Sequence, residues 1–228
     1  MINVKWFGHA AFRIEMFGKV FLIDPWITNP TSPETKVNHI CGDYVIVTHD
    51  HGDHMGNTLE ILKNCPDAKA VAIYELASFI AEELGSEERA VGGNIGGPIT
   101  LEGGFEVVLT PALHSSGRGS PVGAILGKLG INVYHAGDTG LMYDMKLIGE
   151  LYKPLVALLP IGGHFTMGPK EAAYATLLIN PRYVIPMHYG TFPLIKGTPA
   201  EFRRRLMEFG STSELIVLNP GEETKLTV

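Results

Sequence analysis

Short runs of apolar residues alternate with polar turns along the whole chain and predict β-strands. The first runs, VKWFG, AFRIEMF and VFLID, indicate an antiparallel start, with Gly18 and Lys19 as a tight turn between the last two. Further strands are predicted for YVIVT, AKAVAIY, ITLE, FEVVLT, VGAILG, INVYHAG, LVALLP, YVIPM and LIVLN. Residues 28–40 and 91–98 are predicted to be loops, because Pro, Gly, Ser, Thr and Asn are frequent there.

Apolar residues at helical spacing predict helices over residues 55–64, 75–84, 142–151, 169–179 and 199–209. The chain therefore has two β-rich halves, each interleaved with helices. This order favours two sheets packed face to face with helices on the outer faces, an α/β fold of the four-layer αββα sandwich type. A length of 228 residues without a Pro-rich linker predicts a single domain over residues 1–228.

Composition and charge narrow the class of partner. Apolar residues make up 45% of the chain and charged residues 18%, which is typical of an ordered globular protein. A net charge of -6 disfavours long nucleic acids and anionic membranes as partners. The N-terminus lacks the pattern of a secretory signal, and no apolar run approaches the roughly 20 residues of a membrane span. We expect a cytoplasmic protein that has no membrane contact and acts on a small molecule.

The two cysteines, Cys41 and Cys65, are far apart in the sequence and form no CxxC pair. This spacing indicates neither a disulfide framework nor a sulfur-rich zinc site. We expect both to be reduced and buried.

The segment THDHGDH, residues 48–54, follows an apolar strand and precedes a helical pattern. In an extended segment, residues two apart project to the same side, so His49 and His51 can bind one metal ion. Asp53 and His54 lie at the start of the next helix, where they can reach a second ion. A polar turn that contains histidines by chance is the alternative, but His and Asp rarely cluster in this way without a ligand.

Two ions need more ligands than this segment offers. Three residues of the same character each follow the C-terminal end of an apolar run, where side chains of different strands converge. They complete a dinuclear set, with one ion on His49, His51 and His114, the other on Asp53, His54 and His188, and Asp138 as the bridging carboxylate.

Each of these later residues has a structural alternative when it is taken alone. His114 and His188 could be hydrogen-bonded core histidines, and Asp138 could shape a turn or cap the following helix. Their assignment is conditional on the first segment, because ions at that position require imidazole and carboxylate ligands from other strands.

The segment 48–54 resembles the His-X-His-X-Asp-His signature of the metallo-β-lactamase superfamily. His114, Asp138 in HAGDTG and His188 in PMHYGT follow in the order in which that superfamily places its remaining ligands. The segments WFGHAAF, FLIDPW and IGGHFTMG further resemble the UPF0173 branch of metal-dependent hydrolases, which is related to ascorbate-phosphate lactonases. The resemblance covers essentially the whole chain, and it implies the metallo-β-lactamase fold and a possible homo-oligomer.

Three further residues are candidates for supporting roles. His164 is a candidate to bind a developing oxyanion or to protonate the leaving group, and His9 is a candidate for the pocket lining or for contact with a ligand. Both could instead be structural. Asp24 is expected to accept a hydrogen bond from the ring of a ligand histidine, with capping of the following loop as the alternative.

The predicted activity is hydrolysis of a small ester, lactone, amide or phosphodiester. Hydroxide held by two divalent ions would attack a carbonyl or phosphoryl centre, with Asp53 orienting the nucleophile and His164 assisting charge or proton movement. Zn²⁺ is the favoured ion, and Mn, Fe, Ni or Co also suit His and Asp ligands. Two alternatives stay open, an iron-dependent redox enzyme on the same fold and a metal-stabilised binding module without catalysis.

Overall fold

The computed structural model describes residues 1–228, which divide into two compact units. Unit 1 comprises residues 1–94, 115–120 and 218–228, and unit 2 comprises residues 95–114 and 121–217. The prediction of a single domain over residues 1–228 stays a prediction.

Unit 1 is built on a seven-stranded mixed sheet with the order β14-β1-β2-β3-β4-β5-β6. Its strands are β1 Ile2–Gly8, β2 Ala11–Met16, β3 Lys19–Ile23, β4 Tyr44–Val47, β5 Lys69–Ile73, β6 Ala90–Gly93 and β14 Glu223–Leu226. Its helices are α1 Gly52–Met55, α2 Thr58–Asn64 and α3 Tyr74–Leu84. Strands β3 to β6 run parallel, and β4 is buried along its whole length, which explains its uninterrupted apolar sequence.

Unit 2 is built on a second seven-stranded mixed sheet, with the order β13-β12-β11-β10-β9-β8-β7. Its strands are β7 Ile99–Leu101, β8 Phe105–Pro111, β9 Val122–Lys128, β10 Ile131–His135, β11 Val156–Pro160, β12 Tyr183–Met187 and β13 Glu214–Leu215. Its helices are α4 Asp144–Tyr152, α5 Pro169–Ile179 and α6 Pro199–Glu208. Met145, Ala172 and Phe202 from these helices join the buried apolar cluster that also contains strand residues Leu159 and Val184.

Each unit thus contributes one mixed sheet and one set of helices. The α/β fold class and the two sheet layers and two helix layers of the predicted sandwich are confirmed. None of the helices is both long and apolar enough to cross a membrane.

The structure departs from the sequence prediction in four elements. The strand predicted for LIVLN is reduced to β13, which covers only Glu214–Leu215. Strand β6 lies within a stretch predicted as a loop, and its pairing with β5 overrides the low strand preference of Gly92 and Gly93. Strand β14 was not predicted, because its polar sequence ETKL carries little apolar signal. The helix predicted over residues 55–64 is split into α1 and α2 at Gly56, which has a φ of +43°. A Cβ at Gly56 would lie 2.5 Å from Trp26 Cα, so only glycine fits this turn.

The prediction that Cys41 and Cys65 are reduced is wrong. The two residues form a disulfide with a Cα–Cα distance of 5.9 Å, and Cys41 is exposed whereas Cys65 is buried. Cys41 lies just before β4 and Cys65 follows α2 directly, so the fold returns the chain to the same end of the unit. Their separation of 24 residues carries no local signal, which is why the sequence did not reveal the pair.

Reduction of this disulfide is expected to lower the free energy of unfolding by about 3 kcal/mol, because the bond closes a loop of this length in the unfolded chain. For a chain of this size the melting temperature should fall by roughly 10 °C. Calorimetry with and without a dithiol reductant measures the change. The double variant Cys41→Ser, Cys65→Ser is the control, and its melting temperature should not respond to the reductant. A wild-type melting temperature that is equally unresponsive would contradict the prediction.

Candidate metal centre

The first set of predicted ligands lies in unit 1, directly after the carboxyl end of β4. His49 and His54 are buried, and His51 is half-buried. Nε2 of His49 lies 3.1 Å from Nδ1 of His51, and the ring centroids of His49 and His54 are 4.1 Å apart. Asp53 and His54 lie in α1, as the sequence predicts. The structure therefore brings the imidazoles of this segment to one place within unit 1.

Asp24 holds this group of imidazoles through hydrogen bonds. It follows β3, the parallel neighbour of β4, and its side chain is fully buried. One carboxylate oxygen accepts a hydrogen bond from Thr48 N at 2.8 Å. The other accepts from the Thr48 hydroxyl at 2.7 Å and from Nδ1 of His54 at 2.7 Å.

These contacts fix the tautomers of two histidines. Nδ1 of His54 carries the proton that it donates to Asp24, so the lone pair of the neutral ring is on Nε2. The Thr48 hydroxyl gives its single proton to Asp24 and therefore accepts from Nδ1 of His49, 3.0 Å away. His49 likewise presents Nε2 as its electron-pair donor. Asp24 thus prepares both rings for a cation, directly in one case and through Thr48 in the other.

His9 contacts Asp53 in the same unit. Nε2 of His9 lies 2.9 Å from Oδ2 of Asp53, and the His9 ring is fully buried edge-on against Trp26. The His9 backbone carbonyl accepts a hydrogen bond from Trp6 Nε1 at 2.9 Å. Ligand atoms of His9, Asp53 and His54 all lie within 4.8 Å of one another. His9 therefore fixes the direction of the Asp53 carboxylate.

Asp50 lies between the predicted ligands His49 and His51 in the sequence, but its side chain contacts a different set of residues. Burial opposes its ionisation, but hydrogen bonds from Gly117 N, the Ser116 hydroxyl and the Arg118 guanidinium outweigh it and hold its pKa below the usual value. The sequence prediction gave Asp50 no role, because it occupies a variable position of the His-X-His-X-Asp-His pattern. A charged residue inside that pattern was the signal that could have drawn attention to it.

The second set of predicted ligands lies in unit 2. Strands β8, β10 and β12 run in the same direction, so their carboxyl ends meet at one edge of the sheet. His114, Asp138 and His188 follow these three strands. Nε2 of His114 lies 3.4 Å from Asp138 Oδ2, and Nε2 of His188 lies 3.1 Å from the same oxygen. Unit 2 therefore brings its three predicted ligands together around one carboxylate.

Thr139 holds the backbone on both sides of this carboxylate. Its buried hydroxyl accepts a hydrogen bond from Leu113 N at 3.0 Å, one residue before His114. Its carbonyl accepts from Met167 N at 2.9 Å. The loop that carries His164 is thereby attached next to Asp138.

The comparison with known proteins assigns the family. A family model described as a β-lactamase superfamily domain matches residues 19–189. A UPF0173 metal-dependent hydrolase of Caldivirga maquilingensis is 52% identical over 225 residues, which cover 99% of this chain and 98% of the relative. The chain belongs to the UPF0173 metal-dependent hydrolases of the metallo-β-lactamase superfamily.

Two further similar proteins support this family assignment. A UPF0173 metal-dependent hydrolase of Hyperthermus butylicus is 49% identical over 96% of this chain and 97% of the relative. The solved structure of Igni18, a metallo hydrolase from the hyperthermophilic archaeon Ignicoccus hospitalis, superposes with a TM-score of 0.92 at 44% identity and covers 99% of both chains. The predicted family, fold and enzyme class are confirmed.

The donor groups of the hydrolase fit divalent metal ions. Imidazole nitrogens and carboxylate oxygens without thiolates suit Zn, Mn, Fe, Ni and Co. Two nitrogens that share one tetrahedral Zn²⁺ at 2.0–2.1 Å lie about 3.3 Å apart. The separation of 3.1 Å between His49 Nε2 and His51 Nδ1, and those of 3.1 and 3.4 Å around Asp138 Oδ2, agree with this value.

His164 has a different setting from the predicted ligands of unit 2. It is exposed, its ring packs edge-on against Phe165 with centroids 4.4 Å apart, and it makes no hydrogen bond or ion pair with Asp138 or His188. An exposed imidazole on a loop is available to a substrate.

Four of the predicted site residues have an unusual backbone conformation. His9, Asp24, His164 and His188 have φ values of +52°, +46°, +64° and +56°, in the left-handed region that side chains other than glycine rarely adopt. Such strain tends to occur where a side chain must point in a direction that regular backbone does not offer. His39 and His135, which are not among the predicted site residues, have ordinary backbone conformations.

Proposed function

We propose that the hydrolase cleaves a small ester, lactone, amide or phosphodiester with water as the nucleophile, at a dinuclear centre that takes ligands from both sets. The observation that supports the proposal is that each unit holds a set of His and Asp side chains at the carboxyl ends of its strands. One ion would be held by His49, His51 and His114, and the other by Asp53, His54 and His188, with Asp138 between them. Zn²⁺ is the favoured ion.

The roles of the side chains follow from their contacts. Two divalent ions, when bound, supply Lewis acidity and a water molecule of lowered pKa. Asp24 keeps Nε2 of His49 and His54 available through the tautomers that it fixes. Asp53, held by His9, orients the attacking water, and His164 stabilises the developing negative charge or protonates the leaving group.

The same contacts support a substrate with a carbonyl or phosphoryl centre. Carbonyl and phosphoryl centres both develop negative charge on oxygen during hydrolysis, and imidazole groups next to a cation stabilise that charge. No Ser-His-Asp arrangement is needed when water attacks directly. A small molecule is favoured because the net charge of -6 opposes the approach of a polyanion.

A substrate screen of the metal-reconstituted protein tests the proposal. Aryl esters, lactones, amides and bis-aryl phosphodiesters are presented to the wild type after loading with Zn²⁺, Mn²⁺, Fe²⁺, Ni²⁺ or Co²⁺. We expect turnover of at least one class, loss of that turnover on chelation, and loss of it in the variant His51→Ala. Turnover that persists in His51→Ala would not belong to this centre, and its persistence would refute the proposal.

A further inference from the structure

The connection that carries His114 has no regular structure of its own. Residues 112–121 join β8 to β9 without a helix or strand, and their sequence includes the polar, glycine-rich stretch SSGRGS at 115–120. The start of the segment is held by a backbone hydrogen bond from Gly140 N to Leu113 O at 3.1 Å, whereas residues 115–120 depend on side-chain contacts. Because His114 is only two residues from Ser116, a distance of at most about 7 Å along the chain, whatever holds Ser116 also limits where His114 can lie.

Asp50 supplies the contacts that hold this segment. Its carboxylate accepts hydrogen bonds from the Ser116 hydroxyl at 3.0 Å, from Gly117 N at 2.7 Å and from Arg118 Nη1 at 3.1 Å. The Asp50 side chain is 8% exposed, so water competes little with these partners. The Ser116 hydroxyl oxygen in turn accepts a hydrogen bond from Arg118 N at 3.4 Å. Three consecutive residues are thus bound by one side chain.

The shape of the segment matches this arrangement closely. A Cβ at Gly117 would lie 2.8 Å from Asp50 Oδ2. Gly119 has a φ of +66°, and a Cβ there would lie 2.6 Å from Glu75 Oε2. The Arg118 guanidinium covers the Phe79 ring at 3.9 Å. The two glycines let the backbone approach Asp50 and the start of α3, and Arg118 is fixed by a carboxylate and an aromatic face together.

We propose that Asp50 is a positioning residue of the metal centre, which ties segment 115–120 to the ligand segment 48–54 and thereby sets the position of His114. The proposal rests on the proposed function, in which His114 shares an ion with His49 and His51. Asp50 stands between those two residues in the sequence, so the same backbone that presents His49 and His51 also anchors the chain next to His114. Asp50 acts through His114 and does not bind the ion itself.

Asp43 offers a matched control on the other side of β4. It accepts hydrogen bonds from Lys19 Nζ at 2.6 Å and from Val20 N at 2.8 Å, so it also combines an ion pair with a backbone contact. Burial opposes its ionisation, but these contacts outweigh it and lower its pKa, as they do for Asp50. It lies at the opposite end of β4 from the ligand segment. Loss of Asp43 should therefore affect stability without affecting the metal.

The experiment measures metal binding by the full chain. Wild type, Asp50→Asn, Gly117→Ala, Asp43→Asn and His114→Ala are titrated with Zn²⁺ in competition with a chelator and with Co²⁺ by visible absorption. We expect Asp50→Asn to weaken one of the two ions about 10–100-fold and to change its Co²⁺ spectrum. Gly117→Ala, which keeps the carboxylate but displaces the segment, should weaken the same ion to a smaller extent. Asp43→Asn should bind both ions as the wild type does.

The outcomes separate this proposal from the proposed function. If His114→Ala loses one ion and Asp50→Asn weakens the same ion, both proposals are supported. If His114→Ala loses one ion while Asp50→Asn and Gly117→Ala bind as the wild type does, the role of Asp50 is refuted and the metal centre stands. If His114→Ala binds both ions with unchanged affinity, the ligand assignment fails, and the role of Asp50 fails with it. Equal weakening in Asp50→Asn and Asp43→Asn would also refute a specific role for Asp50.

Discussion

Replacement of Asp53 by Asn is expected to lower kcat/KM by about 10³-fold and to leave the fold intact. The amide keeps the size of the side chain but loses the negative charge. In the proposed mechanism that charge both binds an ion and orients the attacking water. The side chain is 25% exposed, and the amide oxygen can still accept a hydrogen bond from Nε2 of His9, so we expect the fold to stay intact. Steady-state kinetics on the best substrate of the screen measures the loss.

Glu60→Gln is the matched control for Asp53→Asn. Glu60 lies in the first turn of α2, is exposed, and contacts Asn57. Its substitution removes one negative charge from the same region without touching a predicted ligand, so kcat/KM should stay within about twofold of the wild type. If Asp53→Asn kept activity within tenfold of the wild type, its assignment as a ligand and orienting group would be wrong.

Replacement of Asp24 by Ala is expected to lower the free energy of unfolding by about 3–5 kcal/mol. The change leaves three donors, Thr48 N, the Thr48 hydroxyl and His54 Nδ1, without their acceptor in a fully buried position. For this chain length the melting temperature should fall by roughly 10 °C or more. Metal affinity should also fall, about 10–100-fold, because the tautomers of His49 and His54 are no longer fixed.

Thr48→Val separates the two effects of Asp24. It removes the hydroxyl that connects Asp24 to His49 and keeps the hydrogen bond between Asp24 and His54. We expect a smaller loss of stability, about 1–2 kcal/mol, and a weaker metal affinity. Thermal unfolding and metal titration of both variants check these values. A melting temperature of Asp24→Ala within 2 °C of the wild type would contradict the network of hydrogen bonds described above.

The sequence predicts those helices and strands whose hydrophobic pattern or end residues are unambiguous. The continuous apolar runs of β4, β11 and β12 are buried parallel strands, and such strands have no polar face to confuse the pattern. The helix predicted over residues 169–179 has the observed bounds of α5, because Pro169 marks its first turn and Asn180 ends it in a left-handed conformation.

The missed elements depend on contacts with distant residues. Strand β14 exists because its polar residues pair with β1 from the other end of the chain, and the disulfide joins residues with no shared pattern. The hydrogen-bond partners of Asp50 lie 66 to 68 positions away in the sequence. The sequence therefore shows that Asp50 is charged but not which residues it contacts. Candidate ligands could be proposed from spacing, whereas the side chains that orient them required coordinates.

The left-handed backbone conformation at His164 lowers the stability of the protein relative to a glycine at the same position. Glycine would adopt a φ of +64° without the steric penalty of roughly 1 kcal/mol that a histidine meets there, and an exposed imidazole gives up no buried contact when it is removed. A directed-evolution library screened only for heat resistance should therefore enrich glycine at this position. Stability alone therefore gives no reason for a histidine at position 164.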